Sequence, residues 1–158
     1  MKEIALLGTV NRVQANVLGE LLGRGVAVNA MVDFPEKVML DYTTLTVTHL
    51  PVNDHERLVE ALEGYAEAVL AYNDDLEDAY TNDLALKHFV DTVHAAREAG
   101  VKRLIVVGSP DSQAFFVSDL RRLDDIDWVF ISTENAYPQR VADELIDPRF
   151  HKEIYTED

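Results

Sequence analysis

The sequence predicts an α/β fold, a doubly wound sandwich with a mainly parallel sheet and helices on both faces. Three observations predict it. Short apolar runs of strand character alternate with amphipathic helical segments along the whole chain. The first strand, helix and second strand fit within about 30 residues, the size of a βαβ unit, which implies a right-handed crossover. Glycine or proline closes most of the segments.

The elements follow in order. Ile4 to Leu7 is a buried strand ending at Gly8. Residues 11–24 place Val13, Val17, Leu18, Leu21 and Leu22 on one helical face, with Gly23 and Gly25 as the stop signal. Residues 26–32 form a second strand, ended by Asp33-Phe34-Pro35, and 36–44 read as a loop or a short helical turn. Leu45 to Leu50 alternates and is rich in β-branched residues, which predicts strand three. Asp54 caps a helix over 55–63, stopped by Gly64, and 66–72 give strand four. An acidic run (Asp74, Asp75, Glu77, Asp78, with Asn82 and Asp83 beyond) leads into a long helix over 79–98 whose stripe is Leu86, Phe89, Val90, Val93 and Ala96. Residues 102–107 are strand five, 113–123 a shorter helix, 127–131 strand six, 138–146 a last helix and 154–156 a short final strand. Trp128 is expected in the core. No repeat or linker interrupts the pattern, so residues 1–158 read as one domain.

Composition narrows the class. Hydrophobic residues make up 47% and charged residues 27%, at a mean hydropathy of −0.09, which describes a soluble globular chain. The apolar runs are too short for a membrane span, and Met1-Lys2-Glu3 leads into a strand with no signal-peptide pattern. The chain has no cysteine, which excludes disulfides, thiolate metal sites and a cysteine nucleophile and fits a cytoplasmic setting. Its 29 Asp and Glu outweigh 14 Lys and Arg, for a net charge of −15. Such a surface repels phosphate backbones and carries no basic stripe, so no nucleic-acid partner is expected. The five histidines (49, 55, 88, 94 and 151) form no metal signature, and the acidic run matches no cation loop, so no metal is expected.

The stretch with chemical content is the first turn. A strand, a glycine and a helix N-terminus in succession build a phosphate site, because the first N–H groups of a helix have no partner within it. Such a turn normally has three glycines at three-residue spacing, and here the positions hold Gly8, Asn11 and Gln14. Gly8 keeps the tight-turn role. Asn11 tolerates a left-handed backbone and brings a side chain into the space a pyrophosphate needs. Gln14 puts a long polar group where helix and strand pack closely.

These pieces, with Val32-x-x-Pro35-Glu36-Lys37, Leu62-Glu63-Gly64-Tyr65-Ala66-Glu67-Ala68-Val69, and above all the run from Ala95 through Gly100 and Val101-Lys102-Arg103 to Gly108-Ser109, resemble the NmrA-like, atypical short-chain dehydrogenase family. That group includes proteins labelled NAD(P)-binding or NADH-flavin reductases. Asp127-Trp128-Val129 and Asp143-Glu144-Leu145-Ile146-Asp147-Pro148 have counterparts late in the family. The resemblance implies a single NAD(P)-binding Rossmann-like domain with a reduced C-terminal substrate region. It implies a cofactor site of Gly8, Thr9, Asn11, Arg12, Val13, Asp33 and Tyr72. Asp33 stands where a carboxylate accepts from the adenosine ribose. Relatives that use NADP carry an arginine in this region, so NAD(H) is the expected cofactor. Ser109 matches the serine after strand five, but the chain has no Tyr-x-x-x-Lys pair: no lysine occurs between Lys102 and Lys152, and the following helix offers Phe115 and Phe116.

The expected function is therefore an NAD(P)-binding protein whose altered turn and missing acid–base pair make it a non-catalytic nucleotide-sensing or interaction module. An active NAD(H)-dependent reductase with a flavin or quinone acceptor, and a binder of another adenosine-containing ligand, are the alternatives. The expected partners are a small-molecule or nucleotide ligand and a second copy in a homodimer.

Overall fold

The computed structural model describes residues 3–9, 11–51, 54–71 and 79–156. Seven strands form one parallel sheet: β1 (Ile4–Leu7), β2 (Val28–Val32), β3 (Leu45–His49), β4 (Glu67–Ala71), β5 (Arg103–Gly108), β6 (Asp127–Ser132) and β7 (Glu153–Ile154). Their order across the sheet is β3-β2-β1-β4-β5-β6-β7. The first three strands step outward one way and the rest step the other way, so the strand order reverses between β1 and β4. That reversal opens a crevice at the carboxyl ends of the strands, where ligands of doubly wound sheets bind.

Five helices cover the sheet: α1 (Arg12–Gly23), α2 (His55–Leu62), α3 (Ala79–Ala99), α4 (Gln113–Leu120) and α5 (Tyr137–Ile146). Period-2 alternation decides which strand residues meet which helices. Ile4 and Leu6 face the α1 and α5 side with Val17, Leu21 and Val141. Ala5 and Leu7 face the α2, α3 and α4 side with Leu62, Phe89, Phe116 and Trp128. Each fully buried leucine or phenylalanine of this kind contributes about 1.5–3 kcal/mol. Trp128 lies in the core, as its setting in strand six predicts.

The ends of the helices follow from local chemistry. After α1, Val26 N–H donates to the Leu21 carbonyl at 3.0 Å and Gly25 N–H to Leu22 at 3.0 Å. This is a Schellman closure, and it places Gly25 at φ +78°, where a side chain would be strained. Asp54 caps α2 by accepting the Arg57 N–H at 3.2 Å. Several boundaries shift by up to three residues from the sequence reading: β2 begins at Val28 rather than at 26, and α4 ends at Leu120 rather than at 123. A short helical turn does form, as a 3-10 turn at Pro35–Lys37, favoured by proline at its start. The final strand is Glu153–Ile154 rather than 154–156, and it pairs with Val129 and Phe130.

A buried ionic cluster ties the tail to the amino edge of the sheet. The Arg103 guanidinium, at the start of β5, donates to Glu144 Oε2 at 2.7 Å, to the Phe150 carbonyl at 3.0 Å and to Asp127 Oδ2 at 3.0 Å. Glu144 is 1% exposed and also accepts the Arg149 N–H at 3.1 Å. His151 Nδ1 lies 2.7 Å from Asp127 Oδ2. Every strong charge in the cluster has an opposite partner, which is the condition for placing it inside.

Between α2 and α3 lies a cleft of about 390 Å³, lined by Pro51, Asp54, His55, Leu58, His88 and Asp91 among others. Burial pushes the His88 imidazole below its usual value of 6.5, against the opposing pull of the Asp91 carboxylate. The fold therefore holds His88 neutral, while the unfolded chain protonates it more readily. This contribution is present above pH 6.5 and is lost as the pH falls below it. Urea unfolding midpoints on either side of pH 6.5 are expected to show the loss, and His88→Leu is expected to flatten it.

Candidate functional site

The sheet order sets the predicted residues in a row along its carboxyl edge: Asp33 after β2, Gly8 after β1, Ala71 at the end of β4, and Ser109 after β5. Asp33 and Ser109 are three strand spacings apart, roughly 14 Å. The gap between β1 and β4 lies between them. Tyr72 and the acidic segment at 74–78 lie outside the described residues.

Gly8 is required by space rather than by an unusual backbone. A Cβ built on it would collide with the Ala71 carbonyl oxygen of the neighbouring strand. Its N–H donates to the Met31 carbonyl at 3.3 Å. The glycine therefore lets the ends of β1 and β4 approach.

Asn11 does not use the left-handed backbone that its residue type tolerates. It is extended, with φ −152° and ψ 173°, and it serves as the N-cap of α1. Its Oδ1 accepts the Gln14 N–H at 2.9 Å, while its Nδ2 donates to Thr9 O at 2.8 Å and Thr9 Oγ1 at 3.0 Å. The physical reason is that asparagine is among the best N-caps, and capping requires β-region backbone. One donor of the helix N-terminus is thus satisfied from within. Among the described residues no hydrogen bond engages the N–H groups of Arg12 or Val13, so these remain for an anion. Gln14 is 2% exposed, and its Nε2 has no hydrogen-bond partner. A buried donor without a partner is costly, which marks this position as one where polar chemistry was kept against packing.

Asp33 is half-buried, and its Oδ1 accepts the Phe34 N–H at 3.1 Å. In the loop behind it Glu36 and Asp41 outnumber Lys37, whose ammonium sits 4.5 Å from the Phe34 ring centroid. The carboxylate suits ribose hydroxyls and opposes a further phosphate.

At the other end, the Ser109 hydroxyl is engaged in its own turn. It accepts the Ser112 N–H at 3.3 Å and meets Ser112 Oγ at 3.3 Å. Gly108, just before it, has no room for a side chain, because Phe116 of α4 would lie 2.7 Å from an added Cβ. Phe116 is buried in the core and Phe115 is exposed, so neither supplies an acid–base group.

Two features at this edge escaped the sequence reading. Asn16 of α1 donates to the Tyr137 hydroxyl at 2.9 Å, joining the turn helix to the first residue of α5. Ala136, immediately before, has φ +46°, a strained value for a residue with a side chain. A sequence separation of 121 residues hides the first, and nothing local signals the second. The α2–α3 cleft shares no lining residue with the turn, Asp33 or Ser109. Among the described residues no group of three or more His, Cys, Asp or Glu is placed to hold a metal. No described helix is long and apolar enough to cross a membrane.

Fold and edge geometry are those of a Rossmann-type α/β protein. The family model described as NAD(P)H-binding matches residues 12–142, and the chain belongs to that family. The match begins at Arg12, after Gly8, Thr9 and Asn11, and includes Asp33 and Ser109. No curated protein matches the sequence. Among solved structures, a candidate epimerase of Bacteroides thetaiotaomicron is 23% identical, with 99% of this chain and 98% of that one covered and a TM-score of 0.80. An oxidoreductase of Lactococcus lactis is 16% identical over 97% and 89% of the two chains, with a TM-score of 0.78. The Citrobacter sp. triphenylmethane reductase, complexed with NADP(H), is 19% identical over 99% and 70%, with a TM-score of 0.75. At these identities the likeness is one of fold, and it agrees with the atypical short-chain dehydrogenase resemblance read from the sequence.

Proposed function

We propose that this chain is an NAD(H)-binding, nucleotide-sensing module that does not carry out short-chain-dehydrogenase hydride transfer. The observation that carries this reading is the Ser109 turn. The Ser109 hydroxyl is bound up with Ser112 as a strand-end turn residue, and the helix beyond it presents Phe115 and Phe116 where a tyrosine would be needed. The dinucleotide has a place nonetheless. The N–H groups of Arg12 and Val13 would hold the pyrophosphate at the start of α1, and Asp33 would accept from the adenosine ribose. Bound NADH would supply a transferable hydride. What this chain adds is binding and orientation, without the Tyr-x-x-x-Lys pair that moves the accompanying proton in the resembling family.

Direct titration of NADH fluorescence, followed by assay of NADH consumption with a flavin and a quinone, tests the proposal. Saturable binding without turnover above background is expected. Turnover would restore the reductase reading. An absence of binding at millimolar NADH would overturn the cofactor assignment, and a thermal-shift panel of other adenosine-containing ligands would then identify what the crevice takes.

A further inference from the structure

The sequence of this acidic chain has a long uncharged stretch at the outer edge of β3. From Tyr42 to Val52 the sequence contains no Asp, Glu, Lys or Arg, in a chain that is 27% charged and has a net charge of −15. This stretch includes all of β3, the first strand in the sheet order, which pairs with β2 on one side only. Exposed edge strands in monomeric proteins usually carry lysine, proline or a bulge that blocks pairing with another chain. Leu45-Thr46-Val47-Thr48-His49 has neither lysine nor proline, and its register with β2 runs unbroken from Leu45 to His49.

The ladder settles which main-chain groups face outward. Val28 N–H donates to Thr44 O, and Leu50 N–H donates to Val32 O. In a parallel ladder the residues of one parity point inward, so Thr44, Thr46, Thr48 and Leu50 serve β2. Leu45, Val47 and His49 therefore turn their main-chain groups away from the sheet. Leu45 N–H is satisfied by Tyr42 O at 3.1 Å. No hydrogen bond among the described residues goes to the N–H groups of Val47 or His49.

The segment just before this edge is the most apolar exposed surface of the described residues. Of six exposed large hydrophobic side chains, four fall within it: Phe34, Met39, Leu40 and Tyr42. Met39 is 88% exposed. The 3-10 turn in this segment packs on β3, so the apolar side chains flank the open edge.

We propose that β3 is a homodimer edge, at which a second copy of this chain adds its own β3 antiparallel across a two-fold axis at Val47. The parity fits that axis. Val47 N–H meets the second copy's Val47 carbonyl, and His49 N–H meets the second copy's Leu45 carbonyl, with both relations repeated by symmetry. The same pairing sets Leu45 N–H opposite the second copy's His49 carbonyl, so that N–H is shared between this carbonyl and Tyr42 O. The occupant is a second copy because the strand is self-complementary and has no charged side chain of its own, the one carboxylate bonded to it being Glu3, which accepts from Thr46 Oγ1 at 3.4 Å. It is the approach along which two molecules of net charge −15 bring no carboxylate of the strand itself into contact. Edge pairing alone buries less than the roughly 800 Å² per partner of a stable interface, so Met39, Leu40 and Tyr42 must add to it.

Sedimentation equilibrium on the full chain across protein concentration and NaCl tests the proposal. The expected mass is twice 17.8 kDa at high micromolar concentration. Association should tighten with added salt, because salt screens the repulsion between two acidic bodies. Val47→Lys should give a monomer with an unchanged fold by circular dichroism. Val47→Pro should do the same, since proline there removes only an outward N–H. Met39→Asp, at a position too exposed to affect folding, should weaken association about tenfold. A monomeric mass at every concentration and salt, or a dimer that survives Val47→Lys and Met39→Asp, overturns the proposal.

Discussion

Replacing Glu144 by alanine is expected to destabilise the protein by about 3–5 kcal/mol, the usual cost of leaving a buried charge without its partner. The Arg103 guanidinium has its side chain 8% exposed and points at Glu144 Oε2 from 2.7 Å. Without Glu144, it keeps Asp127 at 3.0 Å and the carbonyls of Glu144 and Phe150, but it loses its fully buried counter-charge. The same substitution removes the acceptor for the Arg149 and Phe150 N–H groups, so the turn that delivers β7 to the sheet loosens as well. Urea unfolding measures the total, and amide exchange at Glu153 to Tyr155 should rise first. Exchanging all three charges, as Arg103→Met with Glu144→Leu and Asp127→Asn, should cost less than Glu144→Ala alone, because no carboxylate or guanidinium of the cluster is then left without its partner.

Gly8→Ala is expected to cost about 3 kcal/mol, the upper end of what overpacking a core position ordinarily does. The obstructing atom is the Ala71 carbonyl oxygen, a main-chain group held in the sheet beside β1, where Leu7 pairs with Leu70. A flexible side chain could swing away, but this carbonyl cannot without parting β1 from β4. The lowered unfolding midpoint should appear without any nucleotide present. That separates the structural need for Gly8 from any role in binding a phosphate. If Gly8→Ala unfolds like the parent and loses only nucleotide affinity, then the close approach to β4 is not what keeps the glycine there.

Much of the fold could be read from the sequence because its signals are local. Val13, Val17, Leu21 and Leu22 recur at helical spacing, Gly25 and Gly64 stop their helices, and the strand runs are short, apolar and bounded by turns. The row of Gly8, Asp33 and Ser109 was legible too, since each closes a strand and the alternation implies one parallel sheet. Two properties compete at Asn11. Asparagine is tolerant of a left-handed backbone, but at a helix start its capping ability prevails and requires an extended one. The Arg103–Glu144 pair and the Asn16–Tyr137 bond were out of reach because their partners lie 41 and 121 residues apart. Nothing local in Asp143-Glu144 distinguishes the exposed carboxylate from the buried one. The burial of Gln14 follows from its place in the turn, where helix and strand pack closely.

The central claim is that the crevice between β1 and β4 takes NAD(H), with Asp33 and its acidic loop reading an unphosphorylated ribose. Calorimetric titration of NADH and NADPH into the same protein, at one salt concentration, tests it most directly. The account predicts saturable NADH binding, with NADPH weaker by about tenfold or more, since a phosphate placed beside a carboxylate loses at least about 1.4 kcal/mol. Equal or tighter binding of NADPH, or no heat from either nucleotide at millimolar concentration, would contradict it.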